Sequence, residues 1–454
     1  MDSTVACLAA WMPRQRWYSA KGRDPELRLV AAWDLPDPFA GHGGERAVVT
    51  TLLVADTGAH PVVLYQVPVV ARPASAVDPA ADHVIGSPEP GTVLLDGPFD
   101  PSYTEALRRL VTRGGEAAGE RARARGIPAA QIPDAEYAAG VLGGEQSNTS
   151  IIYRDGDDTA PIICKVFRQL HPGVNPDIEL QTALAASGSA HVPGAVGSVA
   201  GTWPDPETGA PVEGSLAFAQ EFLPGVEDAR RVALRAAAAG EDFSARARDL
   251  GVATAEVHVS LAGLFGSAPP SADERAGVVA GWHRRLSIAA AEVPVLAGVQ
   301  DAIAAVYARA LDAAWPDLQR VHGDYHLGQV ILTPGRGWVI LDFEGEPMRP
   351  MPERMLPDLA IRDVAGALRS FDYVAGSLER ERPDVRQASV RAWADAARAA
   401  FLDGYAGASG ADLAAQRPLL DALELDKAVY EAIYESRNRP DWIGIPLQAI
   451  RRLV

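Results

Sequence analysis

Three oxygen-bearing side chains stand close together in one stretch, VHGDYHLGQVILTPGRGWVILDFEGEP (residues 321–347): Asp324, Gln329 five positions on, and Asp342 thirteen beyond that. Phosphoryl transfer asks little covalent chemistry of a protein. It needs a carboxylate to orient the attacking hydroxyl and hard oxygen ligands to hold Mg²⁺ against the phosphates. Asp324 is assigned as that base, and Gln329 and Asp342 as the metal ligands. A lone Asp324 would read as a turn or N-cap aspartate. Its occurrence with Gln329, and with an aspartate ending the apolar run WVILDF, points to chemistry instead. His322 is expected to fix the loop through ring hydrogen bonds. His326 either faces the acceptor or packs the loop.

A phosphate donor needs a second set of groups. Lys165 lies within IICKVFRQL (162–170), flanked by apolar residues, and a lysine in such a strand requires anionic partners. Phosphate oxygens and a helix carboxylate would supply them. Glu179, opening a helical stretch in NPDIELQTALA, is the natural carboxylate, and Asp177 competes with it. The alternative is a solvated lysine on an edge strand. The turn LGGEQSNTS (142–150) offers Gly143, Gly144, Ser147, Asn148 and Thr149, whose backbone N–H groups and side chains suit phosphate. In FAQEFLPGVEDA (218–229), backbone groups from Gln220 to Phe222 stand where a hinge would meet adenine. The cofactors expected are therefore ATP and Mg²⁺.

The elements that must position these residues change character along the chain. Segments 27–35, 46–55 and 61–70 are rich in β-branched residues and divided by turn signals, so they read as strands. A helix is expected over 103–125, ending at Gly126 and Pro128. Two short strands flank a polar turn at 154–160, and a further strand covers 214–225. From residue 229 onward helical periodicity dominates, through 229–265, 272–316, 358–377, 386–406 and 411–438. The interval 321–343 interrupts it with VILT and GWVILDF, a small hairpin inside the helical half. These readings give an α+β fold in three parts: a β-rich cap (1–100), a small strand-based lobe (101–225) and a helical lobe (226–454).

Bulk properties bound the reading. The 454 residues carry 59 acidic against 42 basic side chains, a net charge of −17, which argues against nonspecific binding to nucleic acid or anionic membranes. A local site can still oppose that sign. Cys7 and Cys164 make no disulfide framework, and Cys and His do not cluster at zinc spacing. No apolar run is long enough to span a membrane, and the first residues lack the pattern of a leader peptide, so a cytoplasmic protein is expected.

Several segments carry a more specific signal. HGDYHLGQV with LDFEGEP, RDVAGALRSFDY (362–373), KAVYEAIYESRNRPDWIGIPL (427–447) and PRQRWYSAKGR (13–23) resemble the actinobacterial maltokinase family. That family lies in the aminoglycoside-phosphotransferase-like branch of the protein-kinase-like bilobal fold. The resemblance implies an N-terminal cap ahead of the N-lobe and transfer from ATP to the anomeric hydroxyl of maltose, feeding α-glucan synthesis. It places a sugar-contacting helix at 427–438, with Tyr430 and Tyr434 at i,i+4 spacing, Glu431 and Glu435 alongside, and Arg437 and Asn438 following. Without it, that stripe would read as a helix packed on the lobe with a solvated charged face. Alternatives kept open are a hexose or glucosamine kinase on the same scaffold, and a noncatalytic partner of trehalose synthase. Trehalose synthase also remains a candidate partner of the active enzyme, as a monomer or homodimer. The basic segment 13–23 is expected to pack the cap through Trp17 and Tyr18, with Arg14, Arg16 and Lys21 paired to acids.

Overall fold

The computed structural model describes residues 2–40, 47–78, 80–132, 135–144, 147–156, 160–347, 349–382 and 387–454. The chain divides into two compact units, residues 1–182 with 193–224, and residues 183–192 with 225–454.

The first unit is built on two antiparallel sheets. Helix Asp2–Trp11 (α1) precedes strands Leu27–Leu35 (β1), Val48–Asp56 (β2), Val63–Pro73 (β3), Val84–Glu89 (β4) and Thr92–Asp96 (β5), in the spatial order β1-β2-β3-β5-β4. Helix Pro101–Arg113 (α2) leads into Gly115–Ala118 (β6), Arg123–Pro128 (β7), Tyr137–Val141 (β8), Thr149–Asp155 (β9), Ile162–Val166 (β10) and Gln169–Leu170 (β11). After Pro176–Ala186 (α3), strands Ala195–Pro204 (β12) and Pro211–Glu221 (β13) complete a sheet ordered β6-β7-β12-β13-β10-β9-β8, while β11 pairs with β3 of the first sheet. One apolar core, including Trp33, Tyr103, Tyr153, Phe167 and Phe218, runs beneath both sheets. A second gathers Leu8, Trp11, Trp17, Tyr18 and Tyr65 under α1.

Two expectations need correction here. The helix expected over 103–125 stops at Arg113, because Gly114 and Gly115 adopt φ of 75° and 107°. That left-handed conformation suits glycine and ends the helix, so the residues beyond become β6 and β7. The basic side chains of 13–23 do not all find acids either. Lys21 Nζ donates to the carbonyls of Pro13 and Gln15, and Arg16 donates to the carbonyl of Gly144.

The second unit is mainly helical: Ala229–Ala239 (α4), Ser244–Phe265 (α5), Ala272–Glu292 (α6), Gln300–Leu311 (α7), Ala360–Glu381 (α8), Gln387–Ser409 (α9), Arg417–Asn438 (α10) and Gly444–Leu453 (α11). The periodic stretch 272–316 is split by Pro294, since proline lacks the N–H a continuing helix would use. A Ser271–Glu274 capping box starts α6. Strands Val330–Thr333 (β14) and Gly337–Ile340 (β15) form the hairpin expected within the helical half. Residues 190–192 brace it: Ile340 N–H donates to the His191 carbonyl at 2.8 Å, and Arg336 donates to the Val192 carbonyl at 2.6 Å.

Candidate active site

The loop carrying Asp324 is held from below by one buried carboxylate. Asp363, in the first turn of α8, accepts the N–H of His322 at 2.9 Å and that of Gly323 at 3.0 Å. Its Oδ2 also meets His258 Nε2 of α5 at 3.0 Å, and His258 Nδ1 meets the Tyr405 hydroxyl of α9 at 3.0 Å. Three helices thereby fix two consecutive peptide groups just before Asp324. The His322 ring adds a second tie. Its Nε2 donates to the Leu341 carbonyl at 2.8 Å while Nδ1 accepts the Asp324 N–H at 3.3 Å, which selects the Nε2–H tautomer. Gly323 turns the chain at φ 85°, and Tyr325 drives its ring into the core with its hydroxyl 2.7 Å from Thr254. Close packing requires Gly366, since a Cβ there would stand 2.3 Å from the Tyr325 carbonyl oxygen.

The hairpin then returns the chain beside this loop. Leu341 N–H donates to the Gln329 carbonyl at 2.8 Å, and Gln329 Nε2 donates to Asp342 Oδ2 at 3.0 Å. Asp342 is the only described non-glycine residue at positive φ, 67°. Such strain persists where surrounding contacts over-determine it, and it aims a side chain that an extended strand would point elsewhere. Turned about its terminal bond, the Gln329 amide would present its oxygen beside that carboxylate, the hard-oxygen donor pair that Mg²⁺ takes, so these residues fit that ion. His326 Nδ1 accepts the Gly328 N–H at 3.0 Å, the loop-packing role. Burial lowers its pKa, with the Asp324 carboxylate opposing.

Asp324 opens into a cleft whose other wall is α10. Tyr430 and Lys427 line it, joined by Glu346 from the segment after Asp342 and by Arg285 and Asp426. Lys427 Nζ lies 3.4 Å from Asp324 Oδ1 and 3.4 Å from Glu346 Oε1. Burial opposes its charge, but Glu346 and Asp324 hold its pKa above the ordinary value. Its ammonium also stands 5.1 Å from the centre of the Tyr430 ring, whose hydroxyl burial pushes up to about 12. Asp426 pairs with Arg285, so acids and bases alternate around the cleft.

The rest of the expected sugar-contacting stripe lies elsewhere. Glu431 is buried and paired with Arg369 at 2.6 Å; burial raises its pKa, with Arg369 opposing. Tyr434 is 45% exposed, Asn438 Nδ2 donates to the Tyr434 carbonyl at 2.9 Å, and Arg437 pairs with Glu292 on α6. Among the expected residues of α10, only Tyr430 shares the cleft with Asp324. Lys427, Glu346 and Asp363 were absent from the sequence-based assignment. Lys427 carried one usable signal, its place one turn before Tyr430 on the same helix face.

In the first unit, β10 alternates Ile162, Cys164 and Val166 into the core, leaving Ile163 and Lys165 on the opposite face. Because β10 lies between β13 and β9, Lys165 is not on an edge strand. Its ammonium pairs with Asp177 at 2.7 Å, the competing carboxylate, while Glu179 sits in the same first turn of α3. Thr149 Oγ1 accepts from the buried Arg168 at 2.7 Å. Ser147 is exposed and Asn148 half-buried. Glu145 and Gln146 of the same turn, and positions 157–159 of the polar turn at 154–160, lie outside the described residues. At the expected hinge, the N–H groups of Glu221 and Phe222 donate to the Gly194 and Pro161 carbonyls at 2.8 and 2.9 Å. The Gln220 side chain is buried against Gln181. Adenine would therefore have to meet carbonyls there, or groups further along the chain.

Comparison with known proteins gives this arrangement a family. Residues 11–100 match the maltokinase N-terminal cap domain, and residues 140–419, more than half of the chain, match the phosphotransferase enzyme family. A glucosamine kinase of Streptacidiphilus jiangxiensis is 35% identical over 248 residues, covering 51% of this chain and 56% of that protein. One from Mycolicibacterium smegmatis is 32% identical over 138 residues, 29% of this chain and 34% of that protein. The chain thus spans about half or less of the curated relatives it matches. A solved glucosamine kinase in complex with glucosamine, ADP and inorganic phosphate superposes with TM-score 0.68 at 26% identity, covering 99% of this chain and 98% of that one. A second crystal form gives TM-score 0.70 at 25% identity, covering 98% and 99%. The α+β fold is accordingly the protein-kinase-like one, and the chain belongs to the phosphotransferase enzyme family, with a maltokinase-type cap at its N-terminal end.

Proposed function

We propose that this protein is an ATP-dependent sugar kinase that phosphorylates maltose at its anomeric hydroxyl, giving maltose 1-phosphate for α-glucan or glycogen synthesis from trehalose. The observation that carries the reading is the Asp324 carboxylate, on a loop whose backbone is fixed through Asp363 and His322, opening into a cleft with Tyr430, Lys427 and Glu346. An aromatic face beside alternating charged groups suits sugar hydroxyls. In this reading Asp324 takes the proton of the acceptor hydroxyl as its oxygen bonds to the terminal phosphorus, while the bond to the leaving ADP oxygen breaks. Gln329 and Asp342 hold Mg²⁺, which supplies charge neutralisation on the phosphates. Lys165, held by Asp177, together with Glu179 and the turn at Ser147, Asn148 and Thr149, serves the nucleotide. The division into cap (1–100), N-lobe (101–225) and C-lobe (226–454) belongs to the same proposal, as does a cytoplasmic enzyme acting alongside trehalose synthase.

The maltokinase-type cap supports maltose as acceptor. A second reading, glucosamine, is favoured by the relatives named glucosamine kinase and by the neighbour solved with glucosamine and ADP. An assay with ATP and Mg²⁺ across maltose, glucose and glucosamine separates the two, with the phosphorylated position identified by NMR. Maltose 1-phosphate as the main product supports the proposal. Preferential transfer to glucosamine replaces it with the second reading, and transfer to none of them refutes both.

A further inference from the structure

Lys427, Asp324 and Glu346 come from three separate segments: helix α10, the loop before β14, and the segment after Asp342. The Lys427 ammonium is 3.4 Å from one oxygen of each carboxylate, so it bridges the two rather than committing to either. Its side chain is 28% exposed, so most of it is withdrawn from water, and those two acids offset the cost of burying its charge. The Tyr430 ring, one helical turn on, covers another side of the ammonium and limits where it can swing. Glu346 lines the same cleft as Arg285 and Arg362. Asp324 is the end with work left to do: its backbone is anchored by His322, but its carboxylate needs a rotamer.

We infer that Lys427 is a positioning residue for Asp324, clamping the Oδ1 oxygen against Glu346 so that the other oxygen faces the acceptor hydroxyl. This rests on the phosphoryl-transfer reading above and adds to it the element that orients the base. An ammonium suits the task. It is a compact point charge that grips two carboxylates at once and stays protonated between them. Misplacing a reacting group by about 1 Å costs on the order of a hundredfold in rate. Loss of the clamp therefore acts on kcat, with nucleotide binding left intact.

The test compares Lys427→Met, Lys427→Arg and Glu346→Gln with the wild type in steady-state transfer. K427M is expected to lower kcat by roughly 10- to 100-fold with the ATP KM within about twofold. K427R, which keeps the charge, is expected to recover most of that loss. E346Q is expected to lose less, and K427M/E346Q no more than K427M alone, because both act through one bridge. Wild-type kcat in K427M overturns the clamp. So does a loss confined to the acceptor KM, which would make Lys427 a sugar ligand instead. Whether the two side chains are coupled at all is read separately, from denaturant midpoints of K427M, D324N and the double variant. Non-additive midpoints support the clamp even if the wild type transfers to no sugar, a result that counts against the sugar-kinase reading alone. Additive midpoints overturn the clamp whatever the turnover.

Discussion

Asp363 borders the cleft but keeps its carboxylate engaged by backbone N–H groups, and removing it should disable the loop that carries Asp324. Its two oxygens accept from the His322 and Gly323 N–H groups at 2.9 and 3.0 Å and meet His258 at 3.0 Å, and the residue is 1% exposed. A hydrogen bond to a charged acceptor contributes about 1.5–3 kcal/mol, and a buried donor left unpaired costs about 1–3 kcal/mol. Asp363→Ala strands both backbone donors, so the loop should lose roughly 3–6 kcal/mol of local stability. Asp363→Asn keeps one oxygen but sets an amide N–H against a donor, and should lose about half as much. A melting curve reports the unfolding of a whole unit rather than the opening of this loop. Amide hydrogen exchange on a peptide covering 321–329 reports the loop itself. Even the lower figure, near 3 kcal/mol, predicts exchange faster by about two orders of magnitude in D363A. Phosphoryl transfer should fall in parallel, while nucleotide affinity holds. Wild-type exchange and turnover in D363A would refute the claim that this carboxylate holds the loop.

Other outcomes follow from the same geometry. Gly366→Ala should be poorly tolerated, because its Cβ would meet the Tyr325 carbonyl at 2.3 Å; a variant with unchanged 321–329 exchange and turnover would show that the α8 contact is not close. Asp342→Asn keeps a residue type at ease at φ 67°, so the backbone survives while the charge goes. Transfer should drop at least about a hundredfold and require more Mg²⁺, and an unchanged Mg²⁺ titration would remove Asp342 as a ligand. Burial lowers the His326 pKa, so between the unfolded value of about 6.5 and the lower folded value the unfolded chain takes up a proton that the folded loop resists. Stability should therefore fall as pH is lowered through that window. His326→Asn should flatten this part of the profile, as read from denaturant midpoints at about pH 7.5 and about pH 5.5. A wild-type profile as flat as the variant's would count against it.

What could be seen in the sequence divides along the range of the interactions involved. The 321–343 hairpin was legible because β14 and β15 are local, and its closure brings Gln329 and Asp342 within hydrogen-bond distance. The strand that carries Lys165 was legible through the apolar residues flanking it. The pairing of Lys165 with Asp177 could not be read in advance, because Asp177 and Glu179 share one helical turn. On α10 the contacts are long-range instead. Glu431 and Arg437 find partners 62 and 145 residues away, at Arg369 and Glu292, and no periodicity announces such pairs. Lys427 was missed on the same ground, since Asp324 is 103 residues distant and Glu346 is 81. The strands β6 and β7 were lost inside a helix because alanine- and arginine-rich composition outweighed the Gly114–Gly115 pair that ends α2.

In the proposed reaction Asp324 activates a sugar hydroxyl for phosphoryl transfer from ATP. Single-turnover transfer to maltose, run with wild type and Asp324→Asn at saturating ATP and Mg²⁺, isolates that role. Maltose 1-phosphate is expected from the wild type, with a loss of at least about a hundredfold in D324N and ATP affinity retained in both. Equal turnover by the two proteins would contradict it.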